Sequence, residues 1–270
     1  MRENFNFMDE KFTRDEPGWL GQDLRVFPTV GSTNQVLRER LKEENVPPGA
    51  TIIALEQTQG RGRLGRSWWS PPGRGLYVST LVYPPRLQHA GILSLLAAVA
   101  LTDTVRRVTG FAAGIKWPND GMIQGKKYAG ILVEAGTAPI SWAIIGMGIN
   151  VTGQVPEEIA HAITLEQAGA ENLTLESLWQ ALAHDLETRY ESWLIEGNAV
   201  IIDAWRNYSV TLGQIVLAQG PFGQITGRAE DVDEEGRLLI RHGSSLIPVS
   251  SGEVSVRAPD GSYTPSSDAG

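Results

Sequence analysis

The 270-residue chain has no cysteine and only four histidines. Without cysteine there can be no disulfide, no thiolate metal site and no cysteine nucleophile. His89, His161, His184 and His242 lie far apart with no ligand spacing, so a histidine-held metal is not expected. Positive charge is also in short supply: 23 Lys and Arg against 31 Asp and Glu leave a net charge of -8. General DNA affinity needs a basic face to neutralise phosphates, and an isoelectric point near 5.1 argues against it. Long hydrophobic runs are missing too. The N-terminus, MRENFNFMDEKFTRDEPGW, is charged throughout and lacks a signal-peptide core, and the apolar run at residues 90–101 is interrupted by Ser94 and too short to span a bilayer. What is left is a cytoplasmic globular protein, and a hydrophobic content of 41% suffices for a core in one large domain or in a large and a small one.

Against this acidic background stands one concentrated basic stretch, residues 57–77, QTQGRGRLGRSWWSPPGRGLY. It packs Gly60, Gly62, Gly65, Gly73 and Gly75 among Arg61, Arg63, Arg66 and Arg74, with Trp68 and Trp69 adjacent. Glycine lets backbone approach a ligand, arginine matches phosphate and carboxylate with paired hydrogen bonds, and an indole offers a flat face to a ring. The stretch suits an anionic, aromatic ligand such as a nucleotide. Residues 60–67 nearly spell a P-loop with Arg66 in place of lysine, but that motif must open a helix, and Pro71 and Pro72 follow at once. An arginine-glycine run is also a generic nucleic-acid or solvated-surface signal, so the rest of the chain has to decide.

Residues 1–25 are polar and read as a loose leader. GSTNQ at 31–35 precedes a helical pattern, where Ser32 and Gln35 spell a capping box or Ser32 and Thr33 donate to a small polar ligand at the helix start. Apolar runs at 51–55 and 76–83 read as strands that the basic loop joins, and 89–109 as a buried helix ending before Gly110. IKWPND leaves a lysine, an amide and a carboxylate at a strand end, although Asn119 and Asp120 are also ordinary turn formers. Residues 122–134 read as a hairpin turning at Gln124 and Gly125, and 141–150 as a strand whose Gly146 and Gly148 suit a close backbone approach rather than a dinucleotide fingerprint. Helical patterns follow at 174–196 and 199–207. From Tyr208 the texture becomes short β pieces of the kind that form a small barrel.

In order, GSTNQ, EQTQGRGRLGRSWWSP, KWPND, KYAGILVE, GMGIN and SGEVSVR resemble the biotin protein ligase family over residues 26–257. Each motif is weak alone, but the ordered set is specific. The resemblance implies an α+β fold: a mixed β-sheet catalytic domain flanked by helices over residues 26–207, then a small SH3-like β-barrel over 208–257, with the leader at 1–25 and a disordered tail at 258–270. It implies ATP-dependent activation of biotin as biotinyl-5'-AMP and transfer of biotin to a lysine of a biotin carboxyl carrier protein, such as that of acetyl-CoA carboxylase. Magnesium accompanies ATP, with Asn119 the candidate ligand.

By motif, Lys127 would bridge the biotin carboxylate and the α-phosphate, and Arg63 would hold the same region. Ser32, Thr33, Asn34, Gln57, Gly60 and Arg61 would hold biotin, with Gly130, Gly146 and Gly148 lining its slot. Arg66, Lys116, Asn119 and Asn150 would serve ATP, and Trp68 would cover the adenine. The role of Asp120 stays open between orienting the incoming lysine and capping a turn. Relatives that double as repressors carry a winged helix ahead of the STNQ segment; with 31 residues before Ser32, the short form without DNA binding is expected. Family members are often dimers through the catalytic sheet, so a homodimer is the implied assembly. Lipoate-protein ligase shares the adenylation logic and is the nearest enzymatic alternative. A non-catalytic RNA-binding or biotin-sensing protein is the alternative of another class.

Overall fold

The computed structural model describes residues 10–16, 18–43, 45–85, 90–137, 141–159, 161–220, 223–250, 255–260 and 262–263. His89, residues 1–9 of the leader and residues 264–270 of the tail lie outside them. Strands β1 (Leu24–Phe27), β2 (Thr51–Ala54), β3 (Gly75–Val82), β4 (Gly114–Lys116), β5 (Asp120–Ile123), β6 (Lys126–Gly136) and β7 (Trp142–Asn150) form one sheet in the order β1-β2-β3-β7-β6-β5-β4. Only the β1–β2 pair is parallel; the others are antiparallel, so the sheet is mixed.

Helices cover both faces because the strands alternate. Ile53, Val78, Ile145, Met147 and Ile149 point into the main core with α2 (Ala90–Thr109), α3 (Leu175–Glu196) and α4 (Asn198–Tyr208). Ile52, Leu81 and Ile144 point the other way, onto Leu37 of α1 (Thr33–Glu43). The apolar first half of α2 is buried nearly all round, as its composition requires. A capping box in which Thr174 and Ser177 exchange hydrogen bonds opens α3, and Gly197 closes it at φ 81°. At the other predicted box, Gln35 donates to Glu39 one turn on (2.8 Å).

Strands β8 (Ile215–Gly220), β9 (Gly223–Val232), β10 (Leu238–His242), β11 (Ser245–Val249) and β12 (Ser255–Arg257) make the second, antiparallel sheet, in the order β11-β10-β9-β8-β12. It is docked firmly. Trp117 donates from its backbone to Thr211 (2.8 Å) and from its indole to the Gly236 carbonyl (3.1 Å), and Arg206 pairs with Asp231 through two bonds of 2.7 and 2.9 Å.

Both chain ends depart from expectation. In the leader, Phe12 and Leu20 are fully buried, Arg14 pairs with Glu187 at 2.7 Å, and the Trp179 indole donates to the Phe12 carbonyl at 3.0 Å. Residues 10–16 and 18–20 are therefore a strap over α3, held by two apolar anchors within a polar stretch. At the other end Ala258 is buried and Tyr263 reaches the pocket described below, so these two residues of the expected disordered tail are held in place.

Candidate active site

One register row across the sheet carries the site. Tyr77 on β3 pairs with Gly148 on β7, Gly148 with Gly130 on β6, Gly130 with Asp120 on β5, and Asp120 with Lys116 on β4. Residues paired in this way share a face. The Gly148–Gly130 pair thus leaves a bare floor between a bulky tyrosine and a charged pair. Two residues along, Ser79 pairs with Gly146. A Cβ on Gly148 would stand 2.2 Å from the Trp68 Nε1, and one on Gly146 would stand 2.1 Å from the Asn34 Oδ1. The glycines make room for those two side chains.

Lys127 reaches the same face through a bulge. Gly121 pairs with Ala129 but Met122 with Lys127, so Tyr128 is an extra residue in β6. Without the bulge, Lys127 and Gly130, three apart, would point to opposite faces. With it, Lys127 turns onto the floor and Lys126 away to solvent, which is how bulges re-aim side chains beside active sites. The Lys127 Nζ makes an ion pair with Asp120 and lies 5.0 Å from the centroid of the Trp68 ring.

The resulting cavity has a volume of about 390 Å³. At its α1 end the groups are neutral and bonded to one another. The Gln57 carbonyl oxygen accepts from the Thr33 backbone N–H (2.9 Å) and hydroxyl (3.2 Å), the Gln57 amide donates to Ser70 (3.1 Å), and the Ser79 hydroxyl lies 2.6 Å from both Thr33 Oγ1 and Asn34 Oδ1. Asn34 in turn donates to Glu134 (2.8 Å). Gln57 thus occupies the helix N–H that the sequence left open to a ligand.

The other end is ionised. Burial alone would raise the Asp120 carboxyl, but the charges of Lys127 and Lys116, with hydrogen bonds from Lys127 and Tyr263, hold it below the usual carboxylate range. Burial pushes Lys116 down to about 8, Asp120 pulls it back in part, and Arg257, Lys127 and Arg63 push it further down. Arg63 is lowered by burial as well, and its guanidinium donates to the Asn119 carbonyl oxygen at 3.2 Å, while the Asn119 amide donates to the Ile131 carbonyl. His161 and Tyr263 stack with centroids 4.6 Å apart.

The basic stretch closes this end as a narrow turn of its own. Arg61 bridges Ser67, Gly62 donates to the Arg66 carbonyl (2.7 Å), and Trp68 donates to the Gly60 carbonyl (2.9 Å). Leu64 at φ 55° and Gly65 at φ 72° form an exposed tip.

The sequence profile of the biotin/lipoate A/B protein ligase family matches residues 26–150, and that of the biotin protein ligase C-terminal domain matches 211–257. The biotin–[acetyl-CoA-carboxylase] ligase of Mycobacterium tuberculosis is 34% identical over 259 residues, covering 92% of this chain and 95% of that protein. The chain belongs to the biotin protein ligase family. The bifunctional ligase/repressor BirA of Bacillus subtilis is 34% identical over 242 residues, covering 87% of this chain and 74% of its own length. Among solved structures, the Aquifex aeolicus biotin protein ligase in complex with biotin and ATP superposes with a TM-score of 0.78 at 31% identity, covering 88% of this chain and 99% of that one. The mixed sheet flanked by helices and the SH3-like C-terminal domain are thus the fold of this family.

Of the residues expected from motifs, Ser32, Thr33, Asn34, Gln57, Arg61, Arg63, Arg66, Trp68, Asn119, Lys127, Gly130, Gly146, Gly148 and Asn150 line one cavity. Gly60 and Lys116 do not. A Cβ on Gly60 would stand 2.6 Å from the Trp68 carbonyl oxygen, so this glycine serves the base of the basic loop. Lys116 is covered by Tyr263 and donates to the Val256 carbonyl (2.9 Å). Trp68 lies on the glycine floor beside Lys127. The sequence reading missed His161, Arg257 and Tyr263, all of which line the cavity. Arg257 had a signal, since it closes the SGEVSVR motif; the other two had none.

Proposed function

We infer that this chain is an ATP-dependent biotin protein ligase. It joins the biotin carboxylate to the α-phosphorus of ATP, releasing diphosphate, and then passes the biotinyl group from biotinyl-5'-AMP to a lysine amine, releasing AMP. The observation that carries this reading is the placement of Lys127, turned by the β6 bulge to the boundary between the neutral and ionised ends of one cavity. In the first step two anions approach each other, and a cation at that boundary offsets their repulsion in a site that shields them from water. Positioning does the remaining work: the neutral end binds the uncharged ring of biotin, and its chain runs past Trp68 with the carboxylate towards Lys127.

Arg63, close to Asn119 and the Asp120–Lys127 pair, belongs with the phosphates in this reading, as do Lys116, Arg66 and Asn150. Asp120 holds Lys127 in place and is ionised, so it can accept a proton or a hydrogen bond from the incoming amine in the second step. A resident magnesium ion does not fit these residues. The Asn119 oxygen accepts from a guanidinium, both Asp120 oxygens face donors, and no group of three or more His, Cys, Asp or Glu gathers among the described residues. Magnesium therefore enters with the nucleotide, as MgATP.

The acceptor is a biotin carboxyl carrier protein, and the reaction belongs in the cytoplasm, where ATP is found; among the described residues no helix is long and apolar enough to cross a membrane. A homodimer through the catalytic sheet is the assembly we propose, and sedimentation with and without biotin plus ATP tests it. The deciding assay for the function supplies labelled biotin, MgATP and a carrier domain. Label on the carrier with stoichiometric diphosphate is expected; label only with lipoate in place of biotin, or none, sinks the reading.

A further inference from the structure

The family's C-terminal profile ends at Arg257, the last residue of β12, but the chain goes on. The Ala258 backbone donates to the Ser262 carbonyl (3.1 Å) and the Ser262 backbone to Asp260 (2.8 Å). That turn sends Tyr263 back into the cavity at its ionised end. There its hydroxyl donates to Asp120 and its ring stacks on His161. The same ring lies under Lys116, whose Nζ is 4.1 Å from the centroid, and 5.0 Å from the Arg257 guanidinium carbon. Lys127 stands 6.0 Å from it.

One side chain from outside both matched domains thus satisfies what a nucleotide would. An aromatic ring stacks on an imidazole, a π face meets cations, and a polar group meets the Asp120–Lys127 pair. The phenol stays a neutral donor, because burial first, and then the charge and hydrogen bond of Asp120, hold its hydroxyl well above the usual range. Besides the charge of Asp120, Lys116 meets the Tyr263 face and the Val256 carbonyl, both from the C-terminal part of the chain. A polyphosphate cannot approach Lys116 while the ring covers it.

We propose that Tyr263 sets the nucleotide affinity of this enzyme, occupying the phosphate end of the cavity so that ATP binds by displacing it from Lys116 and Asp120. The proposal rests on the reading above that Lys116 and Lys127 face the phosphates. Displacement trades like for like: phosphate replaces the π face on the cations, and Asp120 gives up a phenol and keeps Lys127. The tail therefore lowers apparent affinity without blocking turnover.

Diphosphate release at varied ATP and saturating biotin tests this in the full chain. Tyr263→Ala is expected to lower the KM for ATP about ten-fold, the scale of a lost cation–π contact near a desolvated lysine, with no fall in kcat and no change in the KM for biotin. Tyr263→Phe, which keeps the ring and loses the hydroxyl, should fall between. In the unaltered protein, α,β-methylene ATP, whose α–β linkage cannot be cleaved, should increase hydrogen exchange at residues 258–263. An ATP KM that is unchanged or raised in Tyr263→Ala, or a tail more protected with the analogue, overturns the proposal while leaving the ligase reading intact. Absence of ATP-dependent diphosphate release in the unaltered protein would instead overturn the ligase reading itself.

Discussion

At the α1 end of the cavity Thr33, Asn34, Gln57, Ser70 and Ser79 form a neutral net whose members bond to one another. At the opposite end Arg63, Asp120, Lys127, His161, Arg257 and Tyr263, with Lys116 beneath the Tyr263 ring, meet through charges and aromatic faces. Both ends sit on the same sheet, a few residues apart along β6 and β7. The neutral end is rigid by construction, since each polar group that would be costly to bury unpaired already has a partner. The ionised end is balanced but replaceable, because each contact there is a charge or a π face that an anionic ligand can substitute. A carboxylic acid with an uncharged ring and a long apolar chain needs the first kind of surface at one end and the second at the other. Lys127 stands where they meet.

The sharpest way to break this division is to remove the junction. Lys127→Ala should lower adenylate formation about 10²- to 10³-fold, or about 3–4 kcal/mol, since a well-placed charge in a water-excluding site is not replaced by solvent. Lys126→Ala, one residue away but turned to solvent by the bulge, should change the rate less than two-fold. If the two effects were exchanged in a diphosphate-release assay, the register of β6 and the whole site assignment would be wrong. Next in size is the floor. Gly148→Ala puts a methyl group 2.2 Å from the Trp68 indole nitrogen, so the indole must leave its place. Overpacking of about 1–3 kcal/mol should raise the biotin KM about ten- to hundred-fold. Gly130→Ala, with its nearest atom at 3.0 Å, should cost less. Equal effects would mean that Trp68 does not rest on this floor in solution.

Much of this was legible in the sequence, and the misses share a cause. Gly146 and Gly148 could be picked out because glycine inside a strand has few explanations besides close approach, whereas Gly130 followed only from the resemblance of KYAGILVE. The hairpin turn could be read from Gln124 and Gly125, which do adopt φ of 50° and 72°. The bulge at Tyr128 left no local mark, since it is a mismatch between two strands and not a property of one. Nor did β1, whose four residues become a strand only beside β2. Phe12, Leu20 and Tyr263 sit in polar segments that look unstructured by composition, and a single anchoring side chain does not alter a composition. The cover over Lys116 left no mark near IKWPND, because it comes from residues about 140 positions away.

The rigidity of the neutral end has its own test. The Ser79 hydroxyl is fully buried between Thr33 and Asn34 and can donate to one of them at a time. Ser79→Ala leaves both oxygens without that donor and should lower stability by about 1–3 kcal/mol. A urea midpoint that does not move would show that the net is not what holds this end.

The ionised end should be distinguishable by pH alone, with the smallest effect. Lys116 titrates near 8 in the folded chain, pushed down chiefly by burial, against about 10.4 for an ordinary lysine. Below 8 it carries the charge a phosphate needs. Above 8 it loses that charge, so the KM for ATP should rise about three-fold between pH 7.5 and 8.5, the ratio expected for a single group titrating at 8. Stability should move the other way. Between about 8 and 10.4 the unfolded chain still holds the proton that the folded chain has released, so this group's contribution to folding becomes more favourable as pH rises. A ligand-binding limb and a stability limb of opposite sign from one residue are hard to produce by other means. Lys116→Arg, charged throughout, should flatten the first. Lys116→Met should remove both. If the KM limb persists in Lys116→Arg, the titrating group is another one and the phosphates do not rest on Lys116.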